Sequence, residues 1–327
     1  MGLVGVNRPS EFELISALFA PLSGEGAFGL LDDAAAIPMR AGCELAVTTD
    51  ALVEGVHFLP TDPAETVAKK ALRVNLSDLA AKGAEPAGYF LALSLPARLS
   101  FDWLKAFARG LGEDQREFSV ALLGGDTTAT PGPLTLAITA AGYVPKNGMI
   151  HRAGARPGDA VYVSGTVGDA GGGLEILTKR SSGTRISRNE EDLVSRYRVP
   201  TPRLALGRAL RGVASASLDV SDGLLADLGH IADVSRVNIT VAAGALPLSK
   251  PLRALWGEGE DAALKAATAG DDYELAFTAA SHGAVMAAAA SAGVVVTRIG
   301  KVSAGRGVAL LGKNGEIPVR RAGYRHF

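Results

Sequence analysis

Cysteine is nearly missing from this chain: Cys43 is the only one in 327 residues. A single thiol forms neither an internal disulfide nor a cysteine-based zinc site, and it fits a reducing cytosol. Positive charge is not in excess either. Lys and Arg number 33 against 34 Asp and Glu, a formal net charge of −1, so no basic surface is available to hold a nucleic-acid backbone. Long apolar runs are absent: no stretch approaches the roughly 20 residues of a membrane span. The opening MGLVGVNRPS lacks the charged region and apolar run of a secretory leader. The expectation is a cytoplasmic protein that engages neither nucleic acid nor membrane. An anionic ligand would have to be held by helix ends, a few arginines or bound cations.

What is present is apolar mass and glycine. Apolar residues make up 47% of the chain and glycines number 40, which fits real cores, tight turns and close backbone approaches. The length predicts two domains. Ser10-Glu11-Phe12-Glu13 is a capping box, and the helix it opens places Phe12, Ile15, Leu18 and Phe19 on one side. Glu44 to Thr49 reads as a strand ending at Asp50. Asp62-Pro63 starts the next helix, with Asp62 as its cap. Strands follow at Tyr89–Leu95, Ser119–Leu123 and Leu134–Val144, with a helix over Ser100–Glu117. The Gly, Pro and basic stretch Pro145–Gly158 marks the boundary, giving domains 1–147 and 148–327. In the second, Ala160–Ser164, Ser217–Val220 and Tyr273–Thr278 read as strands. Asp169–Lys179 and Asp222–Val234 read as helices, Thr201-Pro202 opens another, and the polar Ser181–Glu190 reads as a mobile loop. Two α/β (α+β) domains are the natural architecture.

Two glycine motifs are decoys. Gly24 to Gly29 matches the dinucleotide fingerprint letter for letter, but a helix precedes it and Asp32-Asp33 follows it, where a strand and then a helix are required. Gly307 to Lys313 resembles a phosphate loop, yet Asn314 stands where a Ser or Thr would hold magnesium, and the setting is that of a hairpin turn.

The chemistry lies in aspartates. Six segments carry them: Leu31–Ala35, Thr48-Thr49-Asp50, Asn75–Ala81, Gly124–Thr128, Asp219–Gly223 and Gly270–Tyr273. Asp50, Asp126 and Asp219 are predicted at or near the carboxyl ends of strands, where ligands bind in α/β sheets. A carboxylate there serves equally as a helix cap or turn former. Asp78 is harder to explain that way, because it interrupts the apolar run Leu76–Ala81 and a buried unpaired carboxylate costs several kcal/mol. Converging acids cannot all ionise without a cation. Hard oxygen donors without a His or Cys cluster point to magnesium, which proteins usually hold together with a nucleotide phosphate.

These segments resemble the thiamine-monophosphate kinase family over nearly the whole chain. The resemblance runs through Glu11–Ile15, Thr48–Phe58, Asn75–Ala84, Gly124–Thr128, Arg152–Asp159, Asp219–Asp227 and Asp271–Leu275, in that order. It implies the two-domain fold of the aminoimidazole ribonucleotide synthetase superfamily and a homodimer whose amino-terminal sheets meet in a barrel. The first domain would then bind ATP and magnesium and dimerise, and the second would complete the active site. The implied reaction is ATP plus thiamine monophosphate giving ADP plus thiamine diphosphate, with several magnesium ions. By position, the implied metal ligands are Asp33, Thr48, Thr49, Asp50, Asp78, Asp126, Asp219 and Asp222. Gly125, Asp126, Arg152 and Ser221 would contact ATP, and His57, Asp271 and Tyr324 the thiamine monophosphate. No covalent nucleophile is implied. The chain departs from the family pattern at Leu31, where a glycine usually precedes the Asp pair, and at Arg325, where an Asp is expected. The rival readings are another ATP-using synthetase of the superfamily and a non-catalytic magnesium–nucleotide-binding regulator.

Overall fold

Ser10 opens the first helix as its capping box predicts: its N–H and hydroxyl each lie 2.8 Å from Glu13 Oε2. The computed structural model describes residues 9–179 and 186–326. Helix α1 (Glu11–Leu14) widens at once into a π turn over Ile15–Phe19 and tightens into a 3₁₀ turn over Ala20–Leu22. The wide turn moves the inward face to Leu14 and Phe19, five residues apart, as i→i+5 pitch demands. Phe12, expected on the buried side, is 80% exposed for that reason.

The described residues form two compact units, one drawn from residues 9–79 and 85–147, the other from 80–84, 148–179 and 186–326. The first holds β1 (Cys43–Val53), α2 (Ala64–Ala81, whose last two residues group with the second unit), β2 (Glu85–Pro96), α3 (Phe101–Phe118), β3 (Leu122–Thr130) and β4 (Thr135–Pro145). Its four-stranded sheet has the order β1-β4-β2-β3, with only β2 and β3 parallel. Three strands outrun their predicted ends, β2 by beginning at Glu85. β1 passes through Asp50 because its pairing with β4 continues to Val53↔Thr135, and β3 passes through Gly124-Gly125-Asp126. Glycine is needed there: a Cβ on Gly125 would lie 1.9 Å from the Leu91 carbonyl oxygen. Asp62 also differs from expectation, since its carboxylate accepts the Leu59 N–H at 2.8 Å and α2 begins at Ala64.

Alternation decides which sheet face is covered. Leu52, Ile138, Leu91 and Leu93 point inward and are buried, whereas Val47, Thr49, Ala51, Ala92, Asp126 and Thr128 on the other face are exposed. Helices α2 and α3 pack so closely that a Cβ on Gly110 would lie 2.5 Å from the Glu65 carbonyl. Between them Arg73 makes a two-pronged ion pair with the fully buried Asp114, Nε to Oδ2 and Nη2 to Oδ1 both at 2.7 Å, and also reaches Glu117.

The second unit comprises β5 (Ala160–Ser164), α4 (Asp169–Lys179), α5 (Arg188–Arg198), α6 (Leu204–Ala209), β6 (Ala216–Asp219), α7 (Leu224–Ser235), β7 (Asn238–Ala242), α8 (Lys250–Trp256), α9 (Glu260–Thr268), β8 (Leu275–Ala279), α10 (His282–Ala292), β9 (Val296–Ser303), β10 (Gly307–Gly312) and β11 (Gly315–Glu316). Its seven strands run β11-β10-β7-β9-β5-β8-β6, mostly antiparallel. One face buries Val161, Val163 and Leu218 against Leu193 of α5, Leu224, Leu228 and Ile231 of α7, and Leu252 of α8. On the other, Tyr162 stacks on Phe277 and on His282 of α10. Gly307–Gly312 is a strand turning into β11, so the phosphate-loop lookalike is a hairpin. Of the polar stretch 181–190, residues 181–185 lie outside the described residues. Ser187 caps α5, so Arg188–Glu190 form its first turn rather than a loop. Among the described residues no helix is long and apolar enough to cross a membrane.

Removing one member of a buried ion pair leaves the other charge uncompensated. Arg73→Leu is expected to lower the unfolding free energy by about 3–5 kcal/mol, read from urea unfolding, and adding Asp114→Leu should restore most of it. An unchanged midpoint for the single variant would show that Asp114 does not depend on Arg73.

Candidate functional site

In the first unit α2 brings Asp78 against the inward face of β1. Thr48 Oγ1 donates to Asp78 Oδ2 at 2.5 Å, and the Asp78 carboxylate faces the Asp50 carboxyl. Thr48 and Asp50 share this face because they are two residues apart on one strand. Burial first, then the facing Asp78 charge, pushes the Asp50 carboxyl up to about 6. Thr49 points to the opposite face, where it accepts from the Thr139 hydroxyl at 3.0 Å. One turn before Asp78 on α2, the buried Asn75 spends its amide N–H on the Ala71 carbonyl, and its Oδ1 has no hydrogen-bond partner. His57 sits in the tight turn after β1. Its Nδ1 accepts the Val53 N–H at 3.0 Å, which leaves Nε2–H as the donor of the neutral ring, and its carbonyl accepts from the buried Lys70 ammonium at 2.8 Å.

Asp33, Gly125 and Asp126 are also brought together, at a cleft of about 270 Å³ lined as well by Asp32, Phe19, Phe90, Leu91 and Thr127. The loop carrying Asp33 is closed by the Ala36 N–H on the Gly26 carbonyl. Left-handed backbone falls on Phe28, Gly29 and Leu30, at φ 50°, 68° and 59°. Leu31 itself has φ −103°, so the residue in the family's glycine position needs no glycine here. The sheet register separates this cleft from the Asp50–Asp78 pair. Asp50, Ile138, Leu91 and Gly125 lie in one row across β1, β4, β2 and β3, so Gly125 is three strand spacings, about 14 Å, from Asp50. Asp126, next along β3, points to the exposed face, opposite to Asp50.

In the second unit two loops interlock. Asp219 ends β6, and Ser221 and Asp222 follow in the turn into α7. The loop 270–273 docks on that turn, with the Asp271 N–H on the Ser221 carbonyl and the Tyr273 N–H on the Val220 carbonyl, both at 2.8 Å. Asp271 and Tyr273 are held at φ 69° and 51°, left-handed values that cost energy for residues other than glycine. Their anchors are the buried carboxylates on either side. Asp272 accepts the Gly168 and Ala170 N–H groups at the start of α4, and burial pushes its carboxyl up to about 8. Glu274 takes both Arg196 and Arg203 as well as the Ser164 hydroxyl. The carboxyl-terminal tail joins the same place: the Tyr324 N–H donates to the Asp222 carbonyl at 2.9 Å. A groove of about 660 Å³ between α7 and the tail is lined by Asp222, His230, Tyr324, Arg325 and His326 among others. The structure therefore gathers Asp219, Ser221, Asp222, Asp271 and Tyr324. Arg152 leaves the chain elsewhere, beside the Ser217 end of β6 and the Ser235 end of α7.

The donor sets fit a hard cation. Asp50, Asp78 and Thr48 offer only oxygen, two carboxyl groups face each other, and the buried Asn75 Oδ1 lacks a donor. Two residues escaped the sequence reading. Asp222, Asp227 and His230 each bring one ligand atom within 4.8 Å of the others. Asp227 and His230 fall three apart on α7, and the acid on an otherwise apolar helix face was the available signal.

Known proteins share this architecture. A family model described as AIR synthase related protein, N-terminal domain, matches residues 31–144, and its C-terminal domain counterpart matches residues 156–313. The chain is 44% identical over 326 residues to the thiamine-monophosphate kinase of Caulobacter vibrioides, covering 97% of this chain and 91% of that one. The crystal structure of thiamine-monophosphate kinase from Stenotrophomonas maltophilia superimposes with a TM-score of 0.80 at 46% identity, covering 86% of this chain and 90% of that one. The structure of AaThiL complexed with AMPPCP and TMP gives a TM-score of 0.78 at 32% identity, covering 92% and 97%. With this two-domain AIR synthase-like fold and identity over nearly its full length, the chain is a kinase and belongs to the thiamine-monophosphate kinase family.

Proposed function

We propose that this protein transfers the γ-phosphoryl group of ATP directly to the phosphate of thiamine monophosphate, giving thiamine diphosphate and ADP in the cytoplasm. The observation that carries the reading is the Asp50–Asp78–Thr48 cluster, an all-oxygen site of excess negative charge in a chain of this family. A terminal phosphate oxygen of thiamine monophosphate attacks the γ-phosphorus as the bond to the β–γ bridging oxygen breaks. The attacking oxygen is already anionic, so no side chain need act as base and no covalent enzyme intermediate forms. The obstacle is repulsion between anions, which at about 4 Å and an effective dielectric near 20 amounts to roughly 4 kcal/mol per pair of unit charges.

Magnesium ions, when bound, would neutralise the phosphates and align the transfer. Asp33, Thr48, Thr49, Asp50, Asp78, Asp126, Asp219 and Asp222 are proposed to hold them. Gly125, Asp126, Arg152 and Ser221 would position ATP, with the Gly125 backbone bare because no Cβ fits there. His57, Asp271 and Tyr324 would position thiamine monophosphate. Two observations support a homodimer. The outer sheet face of the first unit is open, with Val47 63% exposed. Asp50 and Asp126 also lie at opposite sheet edges and on opposite faces, too far apart to share a cation within one copy. A second copy packed on that face would complete a barrel and cover Thr49 and Asp126, which point there.

Three outcomes test this reading. ADP release should depend on thiamine monophosphate, with thiamine and aminoimidazole precursors giving none. ATP binding without thiamine monophosphate-dependent ADP release would leave the regulator reading instead. Val47→Asp, placing a charge on the open face, should convert a dimer to a monomer in analytical ultracentrifugation and remove most turnover. A dimer unchanged by it would remove this face from assembly.

Asp50→Asn should lose most turnover yet stabilise the metal-free protein. The folded Asp50 carboxyl lies at about 6, above its ordinary 3.8, so ionising it costs stability. That cost is absent below pH 3.8 and complete above about pH 6. The variant should therefore melt a few degrees higher than the parent at pH 7.5 in chelator, with the gain shrinking towards pH 4. Equal melting at both values would mean that Asp50 is not held against Asp78.

A further inference from the structure

The turn after β6 has no spare backbone polar groups. The N–H groups of Ser221, Asp222 and Gly223 converge on one atom, Asp227 Oδ2, at 3.0, 3.0 and 3.1 Å. The carbonyls of Ser221 and Asp222 are taken by the Asp271 and Tyr324 N–H groups. Both peptide planes are thus fixed, and only the Ser221 and Asp222 side chains remain to meet a ligand. Asp227 is not an ordinary helix cap. It lies inside α7, its own N–H donates to the Gly223 carbonyl, and the groups it accepts precede the helix. Helix α7 has independent support from buried Leu224, Leu225, Leu228 and Ile231. Gly223, at φ 130°, turns the chain back so that the three N–H groups face inward, an arrangement that favours an anion.

We propose that Asp227 is a positioning residue for phosphoryl transfer: by gathering these three N–H groups it aims Asp222 at its cation and Ser221 at the nucleotide. The proposal rests on Asp222 and Ser221 having those roles. Partners that orient a metal's ligands typically carry about 10- to 100-fold in metal affinity or activity. Asp227 stands in that relation to Asp222, through the backbone rather than through the side chain.

The test measures kcat, the KM for thiamine monophosphate and half-saturating magnesium, the last also by calorimetric titration of the substrate-free protein, in the full-length enzyme for Asp222→Ala, Asp227→Asn and the double variant. Asp222→Ala should raise half-saturating magnesium about tenfold or more. Asp227→Asn should shift it in the same direction with a fall in kcat. In the Asp222→Ala background Asp227→Asn should add less than about twofold to half-saturating magnesium, because the group it aims is gone. If the two single shifts multiply in the double variant, or if Asp227→Asn leaves the magnesium dependence unchanged while Asp222→Ala alters it, Asp227 does not act through Asp222. If Asp222→Ala leaves magnesium dependence unchanged, the metal role of Asp222 fails, and with it the proposal. Should Asp227→Asn not fold, Asp227→Glu, which keeps the charge but moves the acceptor by one methylene, is read by the same criteria.

Discussion

Two half-buried carboxyl groups that face each other cannot both ionise cheaply, and the first unit is arranged to keep Asp50 and Asp78 in that position. Strand β1 contributes one and helix α2 the other, with Thr48 hydrogen-bonded to Asp78 beside them. Everything that fixes the pair serves the packing as well. The β1–β4 ladder sets which residues of β1 face inward, and the buried length of α2, locked to α3 by the Arg73–Asp114 ion pair, sets the height of Asp78. The cost of the contact falls on the protein without metal. The proposed cation would offset it, so stability and the proposed function would pull on Asp50 in opposite directions.

The second unit solves a different problem by the same means, placing acids on loops without letting the loops move. Asp227, Asp272 and Glu274 are each buried, and each takes up backbone N–H groups or arginines. The residues proposed to meet ligands, Asp222 and Asp271, are their partly exposed neighbours. In each case a buried acid holds the backbone and a partly exposed acid nearby presents.

Much of this was readable from residue order, for identifiable reasons. Local chemistry carried the Ser10 capping box, and periodicity with flanking turn residues carried β5 and α4 to the residue. What failed depended on partners distant in sequence. The ends of β1 and β3 are set by pairing across the sheet, which overrides the breaking tendency of Gly124-Gly125. Phe12 faced solvent because a π turn changed the pitch after it. The aspartate set was legible as chemistry. Its division between two sheet edges and two faces was not, because that follows from register alone. Asp227 was legible as a motif member but not as an acceptor of three backbone groups, since its donors become neighbours only when the chain turns at Gly223.

The left-handed backbone of Asp271 and Tyr273 bears on the thermodynamics of association. Ordering a loop when a ligand arrives commonly takes a substantial part of the gross interaction energy. Here the ordering is completed during folding, with Asp272 and Glu274 holding both neighbours in conformations they would not choose in a free chain. A ligand meeting Asp271 encounters a group with little conformational entropy left to lose. The binding heat at this position should then report contacts and water release, with little contribution from loop ordering.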